Sequence, residues 1–375
     1  MRDRPPPKPE KENPDSVAAE IGVQGIEALP RRVQRYSKAK QSALDIAKYI
    51  EGQGLAQRAN RLLSCGDYLV FRHYFTQDLV RLHSARLCMQ HLLCPLCAIR
   101  RGAKALKSYL DRWEVIRAQN GSLKPFLVTL TVKDGPDLAE RFKHLHKAQR
   151  ELWMRKHRGR GSALDGVSGA VWSYEVKRGS GSGAWHPHLH MIALAENMPD
   201  QQELADEWHN ITGDSFVVDV RPISQEDPVS GFVEVFKYAV KFSEQEPADT
   251  MHAFMTLKGK RLLASAGLFR GVSVPEDLAD DVSDLANLPF YDLLYRFSKA
   301  GGYSLEHRSK VQQPAASDEA KKPRPRYDSP QWVKDERKAF ERELHERIAQ
   351  GHKTGSKGMI WRSKKGVSTK RGQGT

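Results

Sequence analysis

The sequence has no apolar run approaching the roughly 18 residues that a membrane-spanning helix needs. Its first residues, MRDRPPPKPEKENPDS, carry no apolar core of a signal peptide. No membrane partner is expected, and the expected location is cytoplasmic. Cysteine is scarce, with four in 375 residues, all between positions 65 and 97. In a reducing compartment such residues are thiols or metal ligands and not disulfides. Acidic residues are in deficit. Lys and Arg number 60 against 46 for Asp and Glu, a net charge of +14, and the isoelectric point is near 9.5. That balance points to a polyanionic partner, most often nucleic acid. A G-x-x-x-x-G-K-[ST] phosphate loop is missing, so no nucleotide-driven motor is built in and unwinding falls to a host enzyme. No internal repeat is evident.

Hydrophobic residues at 39% and charged residues at 28% describe a globular chain able to bury at least one full core. Residues 1–40, rich in Pro and charge, read as a disordered segment. Residues 41–121 read as a helical and cysteine-bearing module ending in a basic amphipathic helix, AIRRGAKALKSYLDRWEVIRAQ. From 122 to 245 the rhythm changes. The runs PFLVTLTV, GAVWSYEVK, HLHMIAL and SFVVDVRPI read as strands, and PDLAERFKHLHKAQRELWMRKH and PDQQELADEWHN as helices. The order β-α-β-β-α-β predicts an α+β, ferredoxin-like (RRM-like) antiparallel sheet with helices on one face. Residues 246–305 read as a helical extension. Residues 306–375 read as a basic, largely disordered tail with one helical stretch near 330–350.

In AWHPHLHMIAL (184–194) three histidines, His186, His188 and His190, stand at alternate positions. On a strand, alternate side chains share a face about 6.6 Å apart, so His188 and His190 can converge on one ion. Pro187 cannot donate to a ladder and marks the strand entrance, which leaves His186 a more peripheral candidate. Glu175, on the preceding strand, comes across from the histidines if a hairpin closes through RGSGSGA. Two imidazoles and a carboxylate leave coordination positions open, and the mixed set suits Mn²⁺ or Mg²⁺ holding a phosphate. The spacing alone also fits surface histidines.

GFVEVFKYAVKF (231–242) places Glu234, Lys237, Tyr238 and Lys241 on one helical stripe, with Phe232, Val235 and Phe236 among the packing residues. A tyrosine flanked by lysines can serve as a nucleophile, the cations favouring phenolate and binding phosphate. Taken singly, the stripe also fits ordinary amphipathic decoration. Cys65, Cys88, Cys94 and Cys97 make a closed set of four, and CPLC suits a turn around tetrahedral Zn²⁺. His83 and His91 are spare candidates, and buried free thiols with a redox C-x-x-C are the alternative. The module presents Arg100, Arg101, Lys104 and Lys107 on the basic helix as contacts to duplex DNA.

Together, a His-hydrophobe-His strand and a later helix carrying Y-x-x-K resemble the HUH endonucleases. Within them the closest resemblance is to the plasmid rolling-circle replication initiators, the Rep proteins, of the single-tyrosine-plus-glutamate kind. It runs through FLVTLTV, WHPHLHMIAL and EVFKYAVK and spans roughly residues 65–245. The resemblance implies nicking of single-stranded or extruded origin DNA by Tyr238, with a metal held by His188, His190 and Glu175. Products would be a 5′-phosphotyrosine and a free 3′-OH primer. Glu234 would activate a water for termination, and Lys237 and Lys241 would contact phosphates or the phenolate. Members of the group often carry a cysteine-rich region before the first motif. The expected partners are plasmid origin DNA with its flanking duplex, a host helicase and polymerase, and a second copy of the chain in a homodimer. A relaxase or transposase of the same superfamily, or a non-catalytic zinc-containing DNA-binding regulator, would share parts of this pattern.

Overall fold

A computed structural model describes residues 17–21, 25–159, 161–179, 181–237 and 245–312, all within one unit spanning Met1–Pro314. The chain begins with a short helix α1 (Ala18–Ile21), then α2 (Leu29–Gly52) and α3 (Ala56–Ser64). Pro30 lies in the first turn of α2, where a missing N–H costs nothing. A hairpin follows, β1 (Tyr68–Tyr74) and β2 (Leu79–Ala85), and then α4 (Pro95–Gln119).

The next six elements are β3 (Lys124–Thr131), α5 (Leu138–His157), β4 (Gly169–Arg178), β5 (Trp185–Ala195), α6 (Gln201–Thr212) and β6 (Val218–Pro222). Both helices start on an aspartate cap. Asp137 accepts from the N–H groups of Ala139 and Glu140, and Asp200 from those of Gln202 and Glu203. α6 stops at Gly213, whose φ of 73° suits a residue without a Cβ. Then come α7 (Val229–Phe236), α8 (Pro247–Leu257), β7 (Leu263–Gly267), β8 (Tyr291–Ser298) and β9 (Gly302–Arg308).

Two antiparallel sheets result. The larger has the order β6-β3-β5-β4-β7 and the smaller β2-β1-β8-β9. In the larger sheet the helix-linked pairs β3–β4 and β5–β6 are interleaved, each enclosing a strand of the other pair. α5 covers the face of Trp172 and Tyr174: Trp153 lies 5.4 Å from Trp172, Phe142 lies 5.3 Å from Tyr174, and the Tyr174 hydroxyl donates to Gln149 at 3.1 Å. Glu175 and Ser173 therefore point to the opposite face. α7 packs across β4 and β5 and against α4.

The structure corrects three boundaries. α2 begins at Leu29, so residues 29–40 are ordered helix, not disordered chain. Its buried stripe of Leu29, Val33, Tyr36 and Ala39 docks on the core, which the Pro-rich composition upstream hides. Residues 246–305 are not an all-helical extension: only α8 is a helix of any length there, and β8 pairs with β1 in the register Phe71↔Leu293. Tyr291, Leu293, Tyr295 and Phe297 alternate along β8, but their pairing partner lies more than 200 residues upstream. The basic tail begins later than residue 306, because β9 runs to Arg308. Residues 313–375, with the helical stretch expected near 330–350, lie outside the described residues.

Arg100 is also corrected. It is 2% exposed and cannot contact DNA. Its guanidinium donates to the Leu278 carbonyl at 2.8 Å, to Glu20 at 2.8 Å and to Asp280 at 2.5 Å. Arg32 bridges the same two carboxylates, at 2.9 Å and 3.0 Å. Asp280 also accepts the Leu82 N–H at 2.6 Å. The network ties α1, α2, β2, α4 and the segment before β8 into one body, with each buried charge partnered.

Candidate metal centres and nicking site

The β4–β5 hairpin sets Glu175 opposite His188, Ser173 opposite His190 and Lys177 opposite His186. The register brings the Glu175 carboxylate, fully buried, between two imidazoles: Oε1 lies 3.3 Å from His188 Nε2 and Oε2 lies 3.4 Å from His190 Nε2. Donors sharing an ion through bonds of about 2.1 Å stand roughly 3.0–3.4 Å apart, so the spacing fits. Burial pushes His188 below its usual pKa against the pull of Glu175, which favours the neutral imidazole that a metal binds. Its Nδ1 is buried without a hydrogen-bond partner. His190 has its other nitrogen, Nδ1, against the Thr129 hydroxyl at 3.1 Å, which fixes the ring and leaves Nε2 for the ion.

His186 is not brought into that group. The ring lies 5.3 Å from that of His188, but its Nδ1 is bonded to Asp134, which also accepts from Ser182 in the hairpin turn. Thr129, Ser173 and Asp134 carry no motif of their own, and only strand pairing puts them beside the histidines. The same is true of Lys133 and Lys177, both exposed near this end of the sheet. The Lys177 charge is close enough to depress His188.

α7 packs against β4 and β5 and carries an ion-paired couple at its end, Glu234 and Lys237, with Lys237 14% and Glu234 31% exposed. Phe232, Val235 and Phe236 supply the buried packing. Gly102 on α4 permits the approach: a Cβ there would lie 2.7 Å from the Phe236 carbonyl oxygen. Tyr238 and Lys241 lie outside the described residues.

The four cysteines form a second buried group. Cys65 ends α3, Cys88 follows β2, Cys94 caps α4 and Cys97 lies in its first turn. The long interval between Cys65 and Cys88 is closed by the β1–β2 hairpin, with the Gly66 N–H donating to the Arg86 carbonyl at 2.6 Å. Cys65 Sγ lies 3.5 Å from Cys94 and 3.6 Å from Cys97, and Cys88 lies 3.6 Å from Cys97. A tetrahedral ion with bonds of about 2.3 Å gives edges of about 3.8 Å, whereas a disulfide is only about 2.05 Å. Hydrogen bonds from neighbouring thiols hold Cys88 well below its ordinary value, while the same crowding and burial hold Cys94 and Cys97 well above theirs. A divalent cation resolves that conflict by displacing the protons. His83 and His91 are not in the group.

A family model for the replication proteins, Rep_1, matches residues 79–290, more than half of the chain. The chain belongs to that family. A curated relative, "Protein rep" from a Bacillus species, is 25% identical over 226 residues, covering 59% of this chain and 71% of its own length. No solved structure matches. As a Rep-family replication initiator of the plasmid type, the chain carries both buried groups within or beside the matched region. Of the basic residues on α4, Arg101 donates to the Pro275 carbonyl at 2.8 Å, Lys104 is half-buried, and Lys107 is exposed beside Asp111 at 2.9 Å. Among the described residues no helix is long and apolar enough to cross a membrane.

Proposed function

We propose that the chain starts rolling-circle replication by nicking one strand of plasmid origin DNA on a ferredoxin-like sheet. The interleaved order of β3, β4, β5 and β6 supports that fold assignment. One observation carries the functional reading: a fully buried carboxylate, Glu175 of β4, between two imidazoles of β5, the two strands that α7 packs against.

Glu175, His188 and His190 would hold a divalent cation, Mn²⁺ or Mg²⁺, which when bound supplies Lewis-acid stabilisation of charge on the scissile phosphate. Tyr238 supplies the attacking oxygen. Its O–P bond forms as the bond to the 3′ oxygen breaks, leaving a 5′-phosphotyrosine and a 3′-OH primer. The phosphotyrosine keeps the energy of the broken linkage for rejoining, so the step consumes no nucleotide triphosphate. Glu234 later takes a proton from a water, so that the strand is released by hydrolysis instead of by a second covalent transfer to tyrosine. Lys237, ion-paired to Glu234, and Lys241 hold phosphates near the phenol. The four cysteines would hold structural Zn²⁺ at the start of α4, whose Arg101, Lys104 and Lys107 approach duplex DNA. A host helicase and polymerase continue from the primer.

The test is incubation with supercoiled plasmid carrying the source origin and Mn²⁺. Nicked circles with protein on the 5′ end are expected, absent with Tyr238→Phe although DNA binding persists. Glu234→Ala should nick but fail to release product circles. Equal adduct yields from Tyr238→Phe and the parent chain would refute the assignment.

A further inference from the structure

Lys40 lies in the middle of α2 with 2% of its surface exposed. A lysine is almost never buried so deeply unless its charge is answered. Arg32 and Arg100, equally buried, are answered by the carboxylates of Glu20 and Asp280. Lys40 has a different set of partners. Its ammonium donates to the main-chain carbonyls of Leu63 at 2.5 Å and Cys65 at 2.7 Å, and to Asp67 at 3.1 Å. The Asp67 side chain is half-exposed and Arg86 approaches its second oxygen at 4.0 Å, so water screens that ion pair. Two carbonyls and a screened carboxylate answer a buried ammonium only in part.

Those partners lie on the turn that delivers Cys65 to the four-cysteine cluster. From α3, Arg61 donates to the Cys88 carbonyl at 2.6 Å, and the Cys88 N–H donates to Cys65 Sγ at 3.3 Å. Two cations are thus bonded to the backbone of two of the four sulfur donors, which are all buried. Four thiolates around one divalent cation retain two negative charges. Buried charge of that size is costly unless opposite charge stands close to it. Lys40 and Arg61 carry two positive charges to offset it.

We propose that Lys40 and Arg61 are the counter-charges of the four-cysteine centre and set how tightly it holds a divalent cation. This rests on the reading of the cysteines as a metal centre. The test uses the full chain as purified, with Zn²⁺ drawn off by a chelator of known affinity. A second batch produced in cobalt medium reports, through its thiolate-to-Co²⁺ absorption, how many sulfurs bind the ion. Lys40→Met and Arg61→Gln should each weaken Zn²⁺ retention about tenfold or more, the scale of lost outer partners at metal sites. The Co²⁺ spectrum should stay that of four thiolates. Lys40→Arg and Arg61→Lys, which keep the charge, should recover most of the parent affinity. Should Lys40→Met not fold, the half-buried Arg61 carries the comparison. Unchanged Zn²⁺ retention in the charge-removing variants overturns the proposal. So does an equal loss in the charge-keeping ones, or a Co²⁺ spectrum short of one thiolate, since either makes the two residues mere props for Cys65 and Cys88. A parent chain that holds neither ion removes the metal centre and the counter-charges with it, whereas a parent that holds metal beside unaffected variants removes the counter-charges alone.

Discussion

Replacing Arg100 by methionine separates a buried structural role from a DNA contact. The substitution removes two ion-pair contacts, at 2.8 Å to Glu20 and 2.5 Å to Asp280, and leaves the Leu278 carbonyl without its donor. Arg32 still reaches both carboxylates, so the loss is partial in contacts but leaves net negative charge in the interior. Breaking a buried pair from one side costs about 3–5 kcal/mol. For a body of this size, at about 2 °C per kcal/mol, the melting temperature should fall by roughly 6–10 °C. Glu20 gives an independent handle. Burial alone would raise its pKa, but Arg32 and Arg100, with bonds from Tyr36 and Arg35, hold it at about 2 against an ordinary 4.5. A depressed carboxyl stabilises the fold fully above pH 4.5 and loses that contribution as pH falls toward 2. At about 1.4 kcal/mol per pH unit, the contribution is about 3 kcal/mol. Arg100→Met should therefore move acid unfolding to higher pH. Thermal melts by circular dichroism at pH 7 and across the acid range measure both effects, beside duplex binding over a salt series. A melting temperature unchanged within about a degree, with a salt slope reduced by about one phosphate contact, would falsify the buried-network account and restore Arg100 as a DNA ligand.

The cysteine cluster should bind one Zn²⁺ per chain by elemental analysis, and Cys94→Ser should lose it and melt earlier; full zinc in that variant would count against the site. Glu175→Gln keeps the shape but removes the charge between His188 and His190, so Mn²⁺ affinity by calorimetry should drop at least about tenfold with the fold intact. Unaltered affinity would place the ion elsewhere. Gly102→Ala sets a Cβ 2.7 Å from the Phe236 carbonyl and should push back the end of α7. A drop in adduct formation exceeding any drop in melting temperature is the expected sign, and wild-type adduct yield would show that α7 tolerates the shift.

The candidate metal-ligating histidines could be read from the sequence because a strand's two-residue period puts His188 and His190 on one face wherever the strand lies. Glu175 needed one further step, the closing of a Gly/Ser hairpin, which is local. CPLC likewise announces a metal turn by its spacing, and Asp137 and Asp200 announce helix starts. Thr129 and Asp134 could not be found that way, since each acquires its meaning from a neighbouring strand.

What the linear chain determined by itself are therefore the features whose physics is local: periodicity, caps, tight turns, close ligand spacing and the excess of positive charge. Tertiary structure alone decided that Arg100 is buried and not a DNA contact, because its charge is answered by Glu20 and Asp280 from opposite ends of the sequence. It alone decided that β8 is a strand, since the hydrogen bonds that make it one come from β1. It also bonded His186 to Asp134 and left it out of the group formed by Glu175, His188 and His190. Long-range pairing depends on where distant segments meet, and no window along the chain contains both partners.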